Sequence, residues 1–152
     1  MSEFSITSSD FQEGDEIPKK FGYKFENEEP DISFVRPPSS TTTLALIMDD
    51  PDAMTAVGKV WVHYLRSTEY IQNLVGTTYY DETENDVMGL NDFGEIGYGG
   101  PAPPDGLHTY VFKGYALDAQ LDLKEGFSKQ DLENAMKGHI IAEAKLTGTF
   151  TP

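Results

Sequence analysis

Residues 42–49 read Thr-Thr-Leu-Ala-Leu-Ile-Met-Asp, a short apolar run with polar residues at both ends. Runs of this length, bounded by turn residues, are typical of β-strands. Residues 60–65 (VWVHYL) show the same pattern, and residues 109–117 (TYVFKGYAL) form a longer run of the same kind. The sequence therefore predicts a fold that is built on strands.

The flanking sequence adds two strands and one helix. Residues 31–35 and 141–150 are further strand candidates, whereas Ser128 is a suitable N-cap for a helix that ends near Gly138. Many strands with few helices imply an antiparallel sheet or sandwich, because parallel sheets need helices between their strands. A length of 152 residues suits one domain, so we expect a mainly β, antiparallel domain over residues 1–152.

Residues 66–107 do not follow this pattern, because much of the stretch, above all residues 97–106, is rich in Gly, Pro, Asn and Asp. We expect at most a weak strand at residues 77–80 and a helical turn near Ile71, within a long, ordered loop. Loops of this length inside a domain are usually functional. Within this region, residues 81–95 carry six carboxylates and no basic residue, which predicts an exposed acidic loop.

The overall composition excludes several classes of function. The net charge of −15 repels nucleic acid, so no nucleic-acid partner is expected. The absence of Cys excludes disulfides and thiol chemistry. No apolar run is long enough to cross a bilayer and no signal peptide is recognisable, which predicts a cytoplasmic protein without stable membrane insertion. The acidic runs indicate solvated surface or, alternatively, a surface for a cation or a basic partner.

Three short blocks carry side chains that suit a small-ligand site. One block follows a strand, and in the other two the polar residues lie two positions apart, so each pair shares one face of its strand. A Gly/Pro-rich loop at residues 97–106 lies beside them. Taken singly, each block has an ordinary explanation as a turn or as a hydrogen-bonded core residue. Together they predict an aromatic-lined recess with few polar groups. The side chains are Asp50, Asp52, Trp61, His63, His108 and Tyr110.

In this order, the blocks resemble the phosphatidylethanolamine-binding, or Raf-kinase-inhibitor-like, family, in its prokaryotic branch. The resemblance extends over nearly the whole chain, including Asn91-Asp92-Phe93-Gly94 and the closing segment at residues 138–150. The segments that carry it are Asp50-Pro51-Asp52-Ala53, Trp61-Val62-His63, Gly100-Pro101-Ala102-Pro103-Pro104-Asp105-Gly106 and His108-Thr109-Tyr110.

The resemblance implies an antiparallel Greek-key β-sandwich with a few peripheral helices. It also implies a small pocket that accepts anionic groups such as phosphate, in which protonated histidines donate to the oxyanion and aromatic rings form the walls. Prokaryotic relatives are often homodimers, so the resemblance implies a homodimer as well. The pocket would be lined by Asp50, His63, Gly100, Pro101, His108 and Tyr110, with Trp61 and Asp52 beside them.

Two functions remain open at this point. The first is a non-enzymatic binding protein that recognises a phosphorylated small molecule or phospho-group and modulates a kinase-type partner. The alternative is a hydrolase or lyase in which Asp50 orients His63 as a base and His108 stabilises developing charge. No activated Ser, Cys or Lys belongs to these blocks, which favours the binding protein. No cofactor is expected, and a metal site is disfavoured because the ligands lack regular spacing.

The sequence departs from the family pattern in two of the blocks. Met54 stands where the family usually has a second proline after Asp-Pro-Asp-Ala, and Thr109 replaces the usual arginine between His and Tyr. The second change removes a fixed cation beside the pocket. We therefore expect an altered ligand preference or a reshaped rim of the pocket, rather than the loss of the pocket.

Overall fold

The computed structural model describes residues 3–75 and 78–152. No helix within these residues combines the length and the apolar character that a membrane span requires. The helices are α1 (Ala53–Val57) and α2 (Lys129–Met136), with a short 3₁₀ turn at Lys19–Phe21. The strands are β1 (Ser5–Thr7), β2 (Ser33–Val35), β3 (Thr43–Asp50), β4 (Trp61–Val75), β5 (Thr78–Met88), β6 (His108–Leu117) and β7 (Ile140–Phe150).

The strands form two antiparallel sheets. β1 pairs with β2, and the other five strands form a sheet in the order β5-β4-β3-β6-β7. In the larger sheet β3, β4 and β5 follow one another as neighbours, and the chain then returns to place β6 on the other side of β3. This spatial order is that of a Greek key. The predicted antiparallel, mainly β fold of Greek-key type is confirmed.

Both faces of the larger sheet are covered, which explains why every residue of β3 is buried. On one face, β1, β2 and the N-terminal segment form a second layer; Ile6 of β1 packs with Leu46 and Met48 of β3 and with Phe112 of β6. This layer makes the fold a sandwich. The candidate residues of β3 and β6 lie on the same face, because Asp50 and Tyr110 are each two positions from a member of this core.

On the opposite face, α2 covers the sheet. Leu132 and Met136 of the helix pack with Ile47 and other apolar residues of the sheet. The helix begins where the sequence predicts: the Ser128 Oγ accepts a hydrogen bond from the Asp131 N–H, and the Asp131 carboxylate accepts one from the Ser128 N–H. This capping box satisfies two backbone donors at the start of the helix.

The predicted long loop at residues 66–107 is wrong over its first half. β4 continues to Val75 and pairs with β5, so Ile71, where a helical turn was expected, lies in a strand. The weak strand expected at residues 77–80 is part of the long β4–β5 hairpin from Thr78 onward, and residue 77 lies outside the described residues. Pairing with β4 decides the conformation of β5, even though acidic residues have low intrinsic preference for strands. Residues 82–86 of the acidic run are exposed, as expected, but they belong to a strand.

Candidate functional site

A β-bulge lies where β3 and β4 carry the candidate residues. Met48 pairs with Tyr64 and Asp49 pairs with Val62, so His63 is an extra residue in β4. Bulges redirect side chains and are common beside functional sites. Here the bulge places the neighbouring residues His63 and Tyr64 on the same face of β4, so that His63 lines the cavity with Trp61 while Tyr64 packs in the core.

The cavity has a volume of about 280 Å³ and lies between the end of the larger sheet, α1 and the N-terminal segment. Five of the residues predicted from the sequence come together in it, although they arrive from β3, β4 and β6. The rest of the lining is mainly apolar. The predicted residues are Asp50, Trp61, His63, His108 and Tyr110, and the others are Tyr23, Lys24, Ala53, Ala56, Val57, Phe93, Ala102 and Pro104.

His108 is held between two carboxylates. Its Nδ1 lies 2.7 Å from an oxygen of the buried Asp50, and its Nε2 lies 2.6 Å from an oxygen of Asp105. Carboxylate oxygens accept, so the arrangement favours the imidazolium, in which both ring nitrogens donate. Burial by itself would lower the pKa of His108, but the hydrogen bonds and charges of Asp50 and Asp105 outweigh it and raise the pKa.

His63, in contrast to His108, is a neutral imidazole. Its Nδ1 lies 2.7 Å from the carbonyl oxygen of Gly99, which can only accept, so Nδ1 carries the proton. Burial lowers the pKa of His63 and outweighs the opposing effects of the Gly99 carbonyl and the Asp50 charge. The neutral ring therefore offers an unprotonated Nε2, an acceptor. The expectation that both histidines donate to an oxyanion does not fit His63.

Tyr110 lies between the two histidines. Its ring is 5.1 Å from that of His63 and 6.4 Å from that of His108. Burial, together with the nearby Asp50 carboxylate, raises the pKa of Tyr110. The phenol therefore stays protonated and is a hydrogen-bond donor at the buried end of the cavity.

Aromatic residues outside the three predicted blocks form much of the wall. Tyr23 stacks on Phe93 with ring centroids 3.8 Å apart, and the Phe93 ring lies 5.5 Å from the rings of both Trp61 and His63. Phe93 is held by the buried Asn91, whose Oδ1 accepts from the Phe93 N–H. In the sequence, Phe93 is distinguished only as the single aromatic residue of the polar turn Asn91-Asp92-Phe93-Gly94.

Gly100 and Pro101 were predicted to line the pocket, but neither is among the lining residues. The Gly100 N–H donates to the Asn27 side chain at 2.8 Å, and the Pro101 carbonyl accepts from the Tyr23 N–H at 3.0 Å. These residues therefore hold the N-terminal segment that carries Tyr23 against the sheet. Their effect on the cavity is indirect.

Asp52 also lies outside the aromatic cavity. Its carboxylate accepts from the Thr109 N–H at 2.8 Å and lines an outer depression of about 270 Å³ together with Asp105 and Leu107. His108 is the residue shared by the depression and the cavity, as far as the described residues show. No group of three or more described His, Asp or Glu side chains is arranged to hold a metal ion. The titratable groups around His108 are Asp50, Asp52, Asp105, Tyr110, His63, Tyr23 and Lys24.

The raised pKa of His108 predicts a pH-dependent contribution to stability. A protonated His108 favours the folded state, so its contribution is complete below the unfolded-state pKa of about 6.5 and is lost as the pH rises through its higher folded-state pKa. The loss of stability in His108→Gln is therefore expected to shrink as the pH rises. Urea unfolding at a series of pH values measures it.

His63 is expected to show the reverse dependence. Because its pKa is lowered, folding requires the neutral ring, and stability is lost as the pH falls below about 6.5. The loss of stability in His63→Gln should therefore shrink as the pH falls. His139→Gln changes an exposed imidazole and is the control. Parallel pH profiles for the His63 and His108 variants would contradict at least one of the two assignments.

Comparisons with known proteins agree with the fold. The sequence matches the model of the phosphatidylethanolamine-binding protein family over residues 7–151. A UPF0098 protein of Methanothermobacter thermautotrophicus is 40% identical over 146 residues, which cover 92% of this chain and 93% of that protein.

Two solved structures are also similar over nearly the full length. A phosphatidylethanolamine-binding protein homologue from Chlamydia trachomatis has a TM-score of 0.81 and 38% identity, covering 98% of this chain and 97% of the other. Escherichia coli YbcL, a member of the mammalian PEBP family, has a TM-score of 0.80 and 26% identity, covering 98% of each chain. The Greek-key sandwich is thus that of PEBP-like proteins. This chain belongs to the phosphatidylethanolamine-binding protein family.

Proposed function

We propose that the chain is a non-enzymatic binding protein whose cavity takes a small anionic ligand, such as a phosphate monoester. The observation that carries the proposal is the imidazolium of His108 at one end of a largely apolar cavity. Lys24 adds a second cation to the lining. An amphipathic ligand would place its anionic group near these cations and its apolar part against the rings of Phe93 and Trp61.

The net charge of the molecule does not oppose this arrangement strongly. The exposed acidic segment at residues 82–86 lies in β5 beside the middle of β4, whereas the cavity is built at the start of β4, by Trp61 and His63. Salt screens exposed charges over about 8–10 Å, so local groups dominate inside the cavity. The Tyr110 hydroxyl adds a neutral donor at its buried end.

The alternative, a hydrolase or lyase, needs a different arrangement from the one expected. Asp50 pairs with His108, so it does not orient His63 as a base. The unprotonated Nε2 of His63 is nevertheless a group that could accept a proton. Formation of product from a phosphate monoester would favour this alternative.

A kinase-type partner, a homodimer and a cytoplasmic location belong to the same proposal. They are supported by the family to which the chain belongs rather than by contacts in the cavity. A protein partner of this kind would present a phosphorylated side chain to the end of the cavity near His108. Sedimentation of the purified protein tests the homodimer.

The proposal is tested through Trp61, which lines the cavity and is the single tryptophan of the sequence. Phenyl phosphate is expected to change Trp61 fluorescence and to bind more tightly than phenol, its neutral analogue. Ala56→Phe fills the cavity and should abolish binding, whereas Met54→Phe, at an exposed position of the same helix, should not. Absence of any response to phenyl phosphate would contradict the proposal, and release of phosphate, followed by ³¹P NMR, would favour the hydrolase.

A further inference from the structure

The two carboxylates that hold His108 differ in their surroundings. The side chain of Asp50 is 4% exposed, whereas that of Asp105 is 52% exposed. Asp50 also accepts from the Asp52 N–H at 2.9 Å, which fixes it in the turn after β3. Asp105 lies in the loop before β6, and its carboxylate accepts from His108. One carboxylate is therefore fixed in the core, while the other can leave its position by rotating into solvent.

The exposed carboxylate holds the donor that a ligand would need. An imidazolium has two N–H donors. Asp50 takes the one on Nδ1, which is buried, so Nε2 is the donor that an incoming oxyanion can reach. A carboxylate and a phosphate oxygen make the same kind of charge-assisted hydrogen bond to this group. An anion and the Asp105 side chain therefore cannot both be bound there.

We propose that Asp105 is an internal competitor: its carboxylate occupies the His108 Nε2–H, and oxyanions bind at this histidine only by displacing it. The inference rests on the proposed function, because it concerns the anionic group of the same ligand. Asp105 would then weaken the binding of anionic ligands without affecting neutral ones. Ligands that contact only the aromatic walls are indifferent to Asp105, whereas anions compete with it.

The expected size of the effect follows from the fraction of molecules in which His108 is free. An apparent dissociation constant is the intrinsic one divided by the competent fraction. If Asp105 holds His108 in about nine molecules of ten, its removal tightens anion binding about tenfold. Since Asp105 is half exposed, its replacement should leave the fold intact.

The experiment compares Asp105→Asn and Asp105→Ala with the unmodified protein by Trp61 fluorescence. Phenyl phosphate should bind about tenfold more tightly to both variants, and the affinity for phenol should not change. Asp118→Asn is the matched control, because it removes the same charge from an exposed Asp–His pair, in which Asp118 lies 3.0 Å from His139. An NMR titration of the His108 ring should also show a lower pKa in Asp105→Asn, independently of any ligand.

The outcomes distinguish the proposed binding function from the competitor role of Asp105. If the unmodified protein binds phenyl phosphate and the Asp105 variants bind it equally well, the competitor is refuted and the proposed function stands. An equal gain in Asp118→Asn also refutes it, because the effect would then be one of net charge. If neither the unmodified protein nor any variant binds phenyl phosphate, the proposed function fails and the inference fails with it.

Discussion

Alanine in place of Gly100 is expected to destabilise the protein by about 3 kcal/mol and to displace the cavity wall that carries Tyr23. A Cβ atom at this position would lie 2.0 Å from the Phe21 carbonyl oxygen and 2.9 Å from the Tyr23 nitrogen. These are backbone atoms, so no side-chain rotation relieves the clash. The two segments must separate, which also breaks the hydrogen bonds from Gly100 to Asn27 and from Tyr23 to Pro101.

Urea unfolding measures the loss of stability, and titration of Trp61 fluorescence with phenyl phosphate measures the loss of the cavity. Gly114→Ala in β6 is the matched control. There a Cβ would meet the ends of the Phe34 and Ile6 side chains at 3.0 and 3.1 Å, which can shift by small rotations. Its cost should stay below about 1.5 kcal/mol. A Gly100→Ala variant with unchanged stability and binding would show that the contact is not the reason for glycine here.

The central strands could be predicted because their sequence pattern and their surroundings agree. β3 is apolar along its length and is buried between two layers, and β6 alternates because one of its faces is less covered than the other. The face rule also placed Trp61 with His63 and His108 with Tyr110, and all four side chains line one cavity. The sequence did not reveal the bulge, which brings Tyr64 onto the same face of β4 as His63.

The β4–β5 hairpin could not be predicted, because its sequence pattern is weak. Residues 81–86 of β5 are all polar, and residues 82–86 are exposed, so no apolar alternation marks this part of the strand. What makes β5 a strand is its backbone pairing with β4. Pairing between strands depends on the tertiary structure, and the intrinsic strand preference of single residues does not predict it.

Apart from the residues of α1, the rest of the site comes from loops, where sequence periodicity carries no information. Tyr23 reaches the cavity because a contact between backbone segments at Gly100 places it there, and Phe93 because the Asn91 side chain orders its turn. Nor could the sequence show which histidine Asp50 contacts. The hydrolase alternative paired Asp50 with His63, whereas in the structure its carboxylate lies 2.7 Å from His108.

The buried pair of Asp50 and His108 leads to the second large expected effect. Asp50→Asn should destabilise the protein by about 3 kcal/mol, because removal of one partner leaves the charge of His108 without its buried counterion. The amide oxygen of the substituted side chain can still accept from the Asp52 N–H, a hydrogen bond that the Asp50 carboxylate accepts at 2.9 Å. Asp50→Ala loses this hydrogen bond as well and should cost about 1 kcal/mol more.

The difference between these two variants separates the charge of Asp50 from its role in the turn that begins α1. Thermal and urea unfolding near pH 6, where His108 is protonated, measure both. Asp118→Asn, the same substitution in the exposed pair with His139, should cost at most about 1 kcal/mol because water screens it. If Asp50→Asn proves as stable as the unmodified protein, the imidazolium is not held by Asp50. The cation that the proposed anion site depends on would then have to be sought elsewhere, with Lys24 as the next candidate in the lining.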